Sequence, residues 1–216
     1  MSSPGTGRPR VRMTGAQRRQ QLLDVGRELF AERGYEATSI EEIAARADVS
    51  KPVVYEHFGG KEGLYAVVVD REMQRLLDGF TSALSIGGHP RELLERAALV
   101  LLDYIEDETD GFRVLVRDSP VAGTEGGFSS LISEVASKVE HILGDQFQVR
   151  GYDPRLAGLY SQALVGMVAL VGQWWLDNRS PGKREVAAHL VNLAYNGLAH
   201  LDPKPGLAAP EGFTLR

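Results

Sequence analysis

The stretch Ser50-Lys51-Pro52-Val53-Val54-Tyr55-Glu56-His57-Phe58-Gly59-Gly60-Lys61 concentrates side chains that can bond to nucleic acid. Proline is tolerated in a first helical turn, where the amides have no helical partner, so Lys51-Pro52 opens a short helix that Gly59-Gly60 ends. Lys51, Pro52 and Val53 then stand at its N-terminal end, where a lysine can reach guanine O6 or N7 and a valine can touch a thymine methyl. Tyr55 and His57 flank the path of a phosphate backbone. His57 has the alternative of capping the helix C-terminus, and Val54 and Phe58 read as core. Just upstream, Thr38 and Ser39 precede Ile40-Glu41-Glu42, and the free amides at such a helix start favour an anion. Residues 1–19 add Arg8, Arg10, Arg12, Arg18 and Arg19 with no acid. This arm can reach phosphates or a minor groove, or can simply be a solvated tail.

Other chemistries find little support. The 216 residues include no cysteine, which removes thiolate nucleophiles, disulfides and sulfur-ligated metals. The histidines at 57, 89, 141, 189 and 200 form no close ligand pair. Asp103, Glu106, Asp107, Glu108 and Asp110 lack the spacing and glycine of a calcium loop and read as a solvated helix end offset by Arg113 and Arg117. No nucleophile elbow, phosphate-binding loop or dinucleotide fingerprint occurs. The reading is therefore of no cofactor, no metal and no enzyme. The net charge of −5 divides unevenly: residues 1–60 hold nine basic and eight acidic side chains, the remainder 15 and 21. A nearly neutral head with a basic arm precedes an acidic body.

The elements that position these groups are all helical. Residues 1–14 lack periodicity and form the arm. From Ala16, Leu22, Leu23, Gly26, Leu29 and Phe30 recur at spacings of three and four, and Gly34 is the stop. A second helix carries Ile40, Ile43, Ala44 and Ala47. Asp48 sits in a tight turn that requires a positive φ, which Asp tolerates better than most residues. Ser50 is positioned to cap the third helix. A long fourth helix from Lys61 buries Leu64, Val67, Val68, Met73, Leu76, Leu77 and Phe80. Further helices are expected at about 90 to 107, 110 to 118, 125 to 144, 154 to 178 and 182 to 201, with a Pro- and Gly-rich tail at 203–216. The boundaries are thus 15–60 for a helix-turn-helix head and 61–202 for a helical body.

Gly34-Tyr35, Thr38-Ser39-Ile40, Ile43-Ala44, Val49-Ser50, Val53 to Phe58 and Lys61-Glu62-Gly63-Leu64, at these spacings, resemble the DNA-binding domain of the TetR family of transcriptional regulators over about residues 15–66. One departure is Asp48, where the family usually has glycine. The resemblance implies phosphate contacts from Lys61 and from Thr38 and Ser39, a homodimer joined through its last two helices, and a palindromic double-stranded DNA operator read in successive major grooves. It also implies a small-molecule effector held by the body, with release of DNA and a repressor's role. The alternatives are a constitutive DNA-binding protein without an effector and an α-helical enzyme.

In the body, Tyr104, Phe112, Phe128, Tyr160, Met167, Trp174 and Trp175 are large enough to line an effector cavity or simply to fill the core. Trp174 and Trp175 are adjacent and cannot share one helix face. A mostly apolar cavity would suit a hydrophobic or amphipathic ligand. Gly158, Ala163, Gly166, Ala169 and Gly172, with Val186, Leu190, Leu193 and Leu198, allow helices to approach closely, whether within one chain or between two. The longest apolar run, 163–172, falls short of the roughly 18 residues a bilayer-crossing helix needs and reads as a buried helix. No signal peptide is recognised in the first 20 residues, and the expected location is cytoplasmic.

Overall fold

Local capping accounts for the order of elements at the N-terminal end. The computed structural model describes residues 13–117 and 128–206. Arg10 and Arg12 of the arm, and the tail beyond 206, lie outside these residues. Helix α1 (Gly15–Ala37) starts on Thr14, whose hydroxyl accepts the Gln17 amide while the Gln17 side chain accepts the Thr14 amide. It loses helical geometry at Gly34, with φ 80° and ψ 172°, as the sequence reading expects. α2 (Ile40–Arg46) starts on Ser39, again with a reciprocal bond, here to Glu42. Asp48 does adopt a positive φ, of 53°.

α3 (Lys51–Phe58) ends at Gly59 in the left-handed region, φ 75°. Ser50 precedes it, but its side chain makes no capping bond, contrary to expectation. The physical reason is a shortage of donors. Pro52 has no amide hydrogen, and the Val53 amide already donates to the Ser50 carbonyl at 3.0 Å.

The body comprises α4 (Lys61–Ser85), α5 (Pro90–Asp107), α6 (Thr109–Val116), α7 (Phe128–Arg150), a 3-10 turn (Pro154–Leu156), α8 (Ala157–Asn178) and α9 (Lys183–Ala199). Among the described residues there is no strand. α7 packs on α8, α9 on α5, and α4 runs across α5 and reaches α7. The head is docked through α1, which lies against both α4 and α6. One continuous apolar cluster extends from Leu22 and Phe30 in the head through Leu76 and Leu102 to Trp175 and Leu190.

α8 departs from the expectation of a buried helix. Leu159, Leu170 and Trp174 are 65%, 66% and 51% exposed. The span Pro154–Asn178 is long and apolar enough to cross a membrane by length and composition, with 22% of its most apolar stretch buried. The 163–172 run thus understated the apolar length, because Leu159, Trp174, Trp175 and Leu176 extend it on both sides. One side of α8 packs on α5 and α7, and the other has no cover among the described residues.

Gly63 sets how closely α3 and α4 join. A Cβ on Gly63 would lie 2.0 Å from the Phe58 carbonyl oxygen, a backbone atom that cannot swing aside. Gly63→Ala is therefore expected to destabilise the protein by about 1–3 kcal/mol in urea unfolding, through overpacking. A variant as stable as the parent would contradict this account of the joint.

Candidate functional site

The outer edge of α3 is built by burying its other side. Val54 is fully buried under α1 and α2, and the Phe58 ring lies beneath the Arg19 guanidinium, 4.9 Å from centroid to Cζ. With that face fixed, Ser50, Lys51, Pro52 and Tyr55 are exposed, and Val53 and His57 are half-buried. The His57 ring tilts over Phe58 at 6.2 Å. α1 steadies the turn before α3 through the Gln21 amide group, which donates to the Ala47 carbonyl at 3.1 Å. Tyr55 is 53% exposed.

Several of these groups already have partners. Lys51 is paired with Glu41 of α2, and its hydrogen bond holds the Glu41 carboxyl below the usual carboxylate range. An exposed pair of this kind contributes little to stability, so a stronger acceptor can take the ammonium. Lys61 Nζ donates to the Tyr35 carbonyl at 2.9 Å and lies 4.2 Å from the centroid of the Tyr35 ring. In this state it closes the end of α1 and does not point to a phosphate.

Thr38 and Ser39 both bond within the head. Thr38 is 2% exposed, and its hydroxyl donates to the carbonyls of Gly34 at 2.7 Å and Leu29 at 3.3 Å. In this state it repairs the break in α1. Ser39 holds Glu42: its amide donates to Glu42 Oε2 at 3.0 Å, and its hydroxyl accepts the Glu42 amide at 3.2 Å. The bond from the Ser39 backbone, then the Ser39 hydroxyl and Arg33, keep the Glu42 carboxyl below its usual range. The chain's own carboxylate thus occupies the anion site at the start of α2.

A second site lies in the body. A cavity of about 80 Å³ opens between α4, α5, α7 and α8. Leu76, Phe80 and Leu84 line it from α4, Leu94, Ala97 and Leu101 from α5, Phe128, Leu131, Ile132, Val135 and Val139 from α7, and Leu164, Val165, Val168 and Ala169 from α8. Every lining residue is apolar. Of the residues expected there, Phe128 alone lines it. Tyr104 instead donates its hydroxyl to Glu72 at 2.8 Å. Phe112 is fully buried, edge-on to Tyr104 and to Phe128. Tyr160 stacks edge-on to Phe147 at 5.4 Å, Met167 packs on the core outside the lining, and Trp174 faces outward. Trp175 is buried, with its indole N–H donating to the Pro181 carbonyl at 2.8 Å, so the two tryptophans do take opposite faces.

The aromatic rings fill space against one another, and the gap remains where the facing side chains are small or branched, at Ala97, Val165, Val168 and Ala169. Such residues on two facing helices were the signal that a search for large side chains passes over. The sequence reading also missed Glu72, although a carboxylate in the buried stripe between Val68 and Leu76 breaks the apolar period.

Comparison with known proteins fits this geometry. The family profile of bacterial regulatory proteins of the tetR family matches residues 22–68, and the tetracyclin repressor-like C-terminal domain matches residues 90–197. The HTH-type transcriptional activator FasR of Mycolicibacterium smegmatis is 32% identical over 202 residues, covering 91% of this chain and 90% of the relative. The chain belongs to the TetR family of transcriptional regulators. A crystal structure of a TetR-like regulator from Rhodococcus sp. RHA1 superposes with TM-score 0.74 at 30% identity, covering 87% of this chain and 99% of that one. A TetR-family regulator from Streptomyces coelicolor gives TM-score 0.65 at 28% identity, with 87% and 82% covered. Membership makes this TetR-family chain a DNA-binding regulator of transcription and not an enzyme.

The assignment of Thr38 is directly testable. Thr38→Val keeps the shape and removes the hydroxyl, leaving two buried carbonyls short of a donor. A loss of about 1–3 kcal/mol of stability is expected, with DNA affinity close to the parent's. Unchanged stability with weakened DNA binding would return Thr38 to the phosphate contacts.

Proposed function

We propose that this TetR-family protein is a ligand-responsive regulator that binds a palindromic operator as a homodimer and is released by a hydrophobic or amphipathic effector. The observation that carries the DNA part is the exposed edge of α3, with Lys51, Pro52, Val53 and Tyr55 presented by a helix whose other face is locked into the head. Lys51 leaves Glu41 for a base edge, Val53 meets a thymine methyl, and Tyr55 and His57 meet phosphates. Lys61, Ser39 and Ser50 lie at the rim. Lys61 and Ser39 reach phosphates only by exchanging their present partners. Arg10 and Arg12 of the arm are proposed to meet phosphates or a minor groove.

The uncovered side of α8 supports dimerisation. Leu159, Leu170 and Trp174 on α8, with Leu193 on α9, are large apolar side chains left exposed among the described residues. A two-fold partner would bury them and set two reading helices about 34 Å apart, one turn of DNA. A DNA-bound role also places the protein in the cytoplasm.

The effector's class follows from the cavity walls, which offer no polar group to a sugar or a metal. At about 80 Å³ the cavity is near half the roughly 150 Å³ that accepts benzene in an engineered core. An effector larger than a few carbons must therefore push the walls apart, and the widened state is the one it selects. Widening alters the spacing of the two heads, and the operator is released. A repressor's role is the simplest consequence of release. The Mycolicibacterium relative is named an activator, and the sign depends on where the operator lies relative to the promoter.

The test is the pair of variants Lys51→Ala and Tyr55→Ala, assayed on an operator selected from genomic DNA. Each is expected to weaken specific binding by about 1–3 kcal/mol, roughly 5- to 150-fold, while the dimer and its helix content stay intact. Binding at parental strength in both would remove α3 as the reading element.

A further inference from the structure

The joint between head and body contains a buried polar cluster that neither DNA reading nor ligand binding accounts for. Glu72, on the apolar stripe of α4, is 1% exposed. It accepts hydrogen bonds from the Tyr104 hydroxyl of α5 at 2.8 Å and from Arg75 Nη1 at 3.2 Å. Arg27 of α1 lies 3.8 Å from the same carboxylate and donates to Glu108 at the start of α6. Four helices meet on one side chain. The fit is close: a Cβ on Gly111 of α6 would lie 2.4 Å from Glu72 Oε2 and 2.7 Å from the Tyr104 hydroxyl.

The cluster also touches the cavity on three sides. Leu76, a cavity wall, stands one helical turn after Glu72. Leu101, another wall, stands three residues before Tyr104. Phe112, next to Gly111, packs edge-on to Phe128 of the wall at 5.7 Å. Wall movement on α4, α5 or α7 therefore reaches the same carboxylate. We propose that Glu72 is a positioning residue: with Tyr104 it holds Arg27, and so fixes the angle of the reading head on the body, and it passes displacement of the cavity walls to that head.

The chemistry suits a switch with discrete states. A charged group taken out of water keeps its position only while its partners surround it, so the cluster breaks and re-forms and does not stretch. Burial first, then the Glu72 carboxylate, push the Tyr104 hydroxyl far above its ordinary range, so it remains a proton donor. Arg27 is imperfectly held, since its buried Nε has no hydrogen-bond partner among the described residues. Such a group favours any rearrangement that returns it to water, which makes the closed state easier to leave.

This inference rests on the ligand-responsive reading above, and the experiment separates the two. The chain has no cysteine, so Glu56→Cys on α3 and Glu95→Cys on α5 accept spin labels without background. Mixing with excess unlabelled chain isolates the distance within one subunit, which pulsed electron resonance then reads. Without ligand, Tyr104→Phe and Glu72→Gln are expected to broaden the head-to-body distribution about twofold or more, the former removing only one hydroxyl from a folded protein. Ala97→Phe, which fills the cavity from within, is expected to displace the distribution in the parent and not in Tyr104→Phe. Parental distributions in both Tyr104→Phe and Glu72→Gln, or in Ala97→Phe, overturn the proposal. Dodecanoate, as an amphipathic alkyl probe at saturation, should weaken operator binding by the labelled parent. No effect there, with Tyr104→Phe still broadening the distances, would fail the ligand reading and leave Glu72 as the residue that sets the head.

Discussion

Burying one carboxylate in the stripe of α4 constrains everything around it. Glu72 stays among apolar side chains only because Arg75 lies one turn away, Tyr104 reaches it from α5, Arg27 approaches from α1, and Gly111 leaves room for the first turn of α6. Without the two arginines the charge would be left uncompensated, which costs far more than an apolar residue in its place. The arrangement therefore specifies how α1 sits on α4 and α6, and through α1 how α2 and α3 are presented. Shape alone would tolerate small rotations of the head on an apolar surface. Hydrogen bonds with fixed directions do not.

The two working surfaces stand on opposite sides of this joint, and each has been left incomplete. On the head, Lys51 and Lys61 are held by Glu41 and by the Tyr35 carbonyl, so the DNA contact proposed for them would exchange existing partners for new ones. On the body, the cavity is too small for a sizeable effector, and α8 leaves Leu159, Leu170 and Trp174 in solvent. These features suit a protein whose stable form depends on what it is bound to. The acidic charge of the body keeps general attraction to DNA low.

Much of the head was legible in the sequence because its boundaries are written in local chemistry. Gly34, Asp48, Pro52 and Gly59 each demand or forbid a backbone conformation, and the structure obeys them. The same locality leaves Thr38 and Ser39 with two uses. A hydroxyl beside a helix start can serve an anion or the chain itself, and only the fold shows that Thr38 turns inward to repair α1 while Ser39 is taken by Glu42. Ser50 failed as a cap because Pro52 removes the donor it needs. In the body the pattern shows which residues prefer to be buried and not which leave a space between them. The cavity is a property of four helices at once, so aromatic size pointed to Phe112 and Tyr160, which fill, and away from Ala97 and Ala169, which do not. α8 read as a core helix because composition cannot tell cover by the chain's own helices from cover by a second chain. Glu72 was visible as a break in periodicity, yet its distant partners lie 45 positions before it and 32 after it.

The account's central claim is that the cavity and the reading edge communicate through the Glu72 joint, and operator affinity measures this most directly. Four proteins suffice: the parent, Ala97→Phe, Tyr104→Phe and the double variant, titrated on the same selected operator. If the joint carries the signal, Ala97→Phe weakens binding by about fivefold or more in the parent and by much less once Tyr104→Phe has already released the head. An equal loss in both backgrounds would mean that the cavity acts on DNA by another route, or not at all, and would contradict the account.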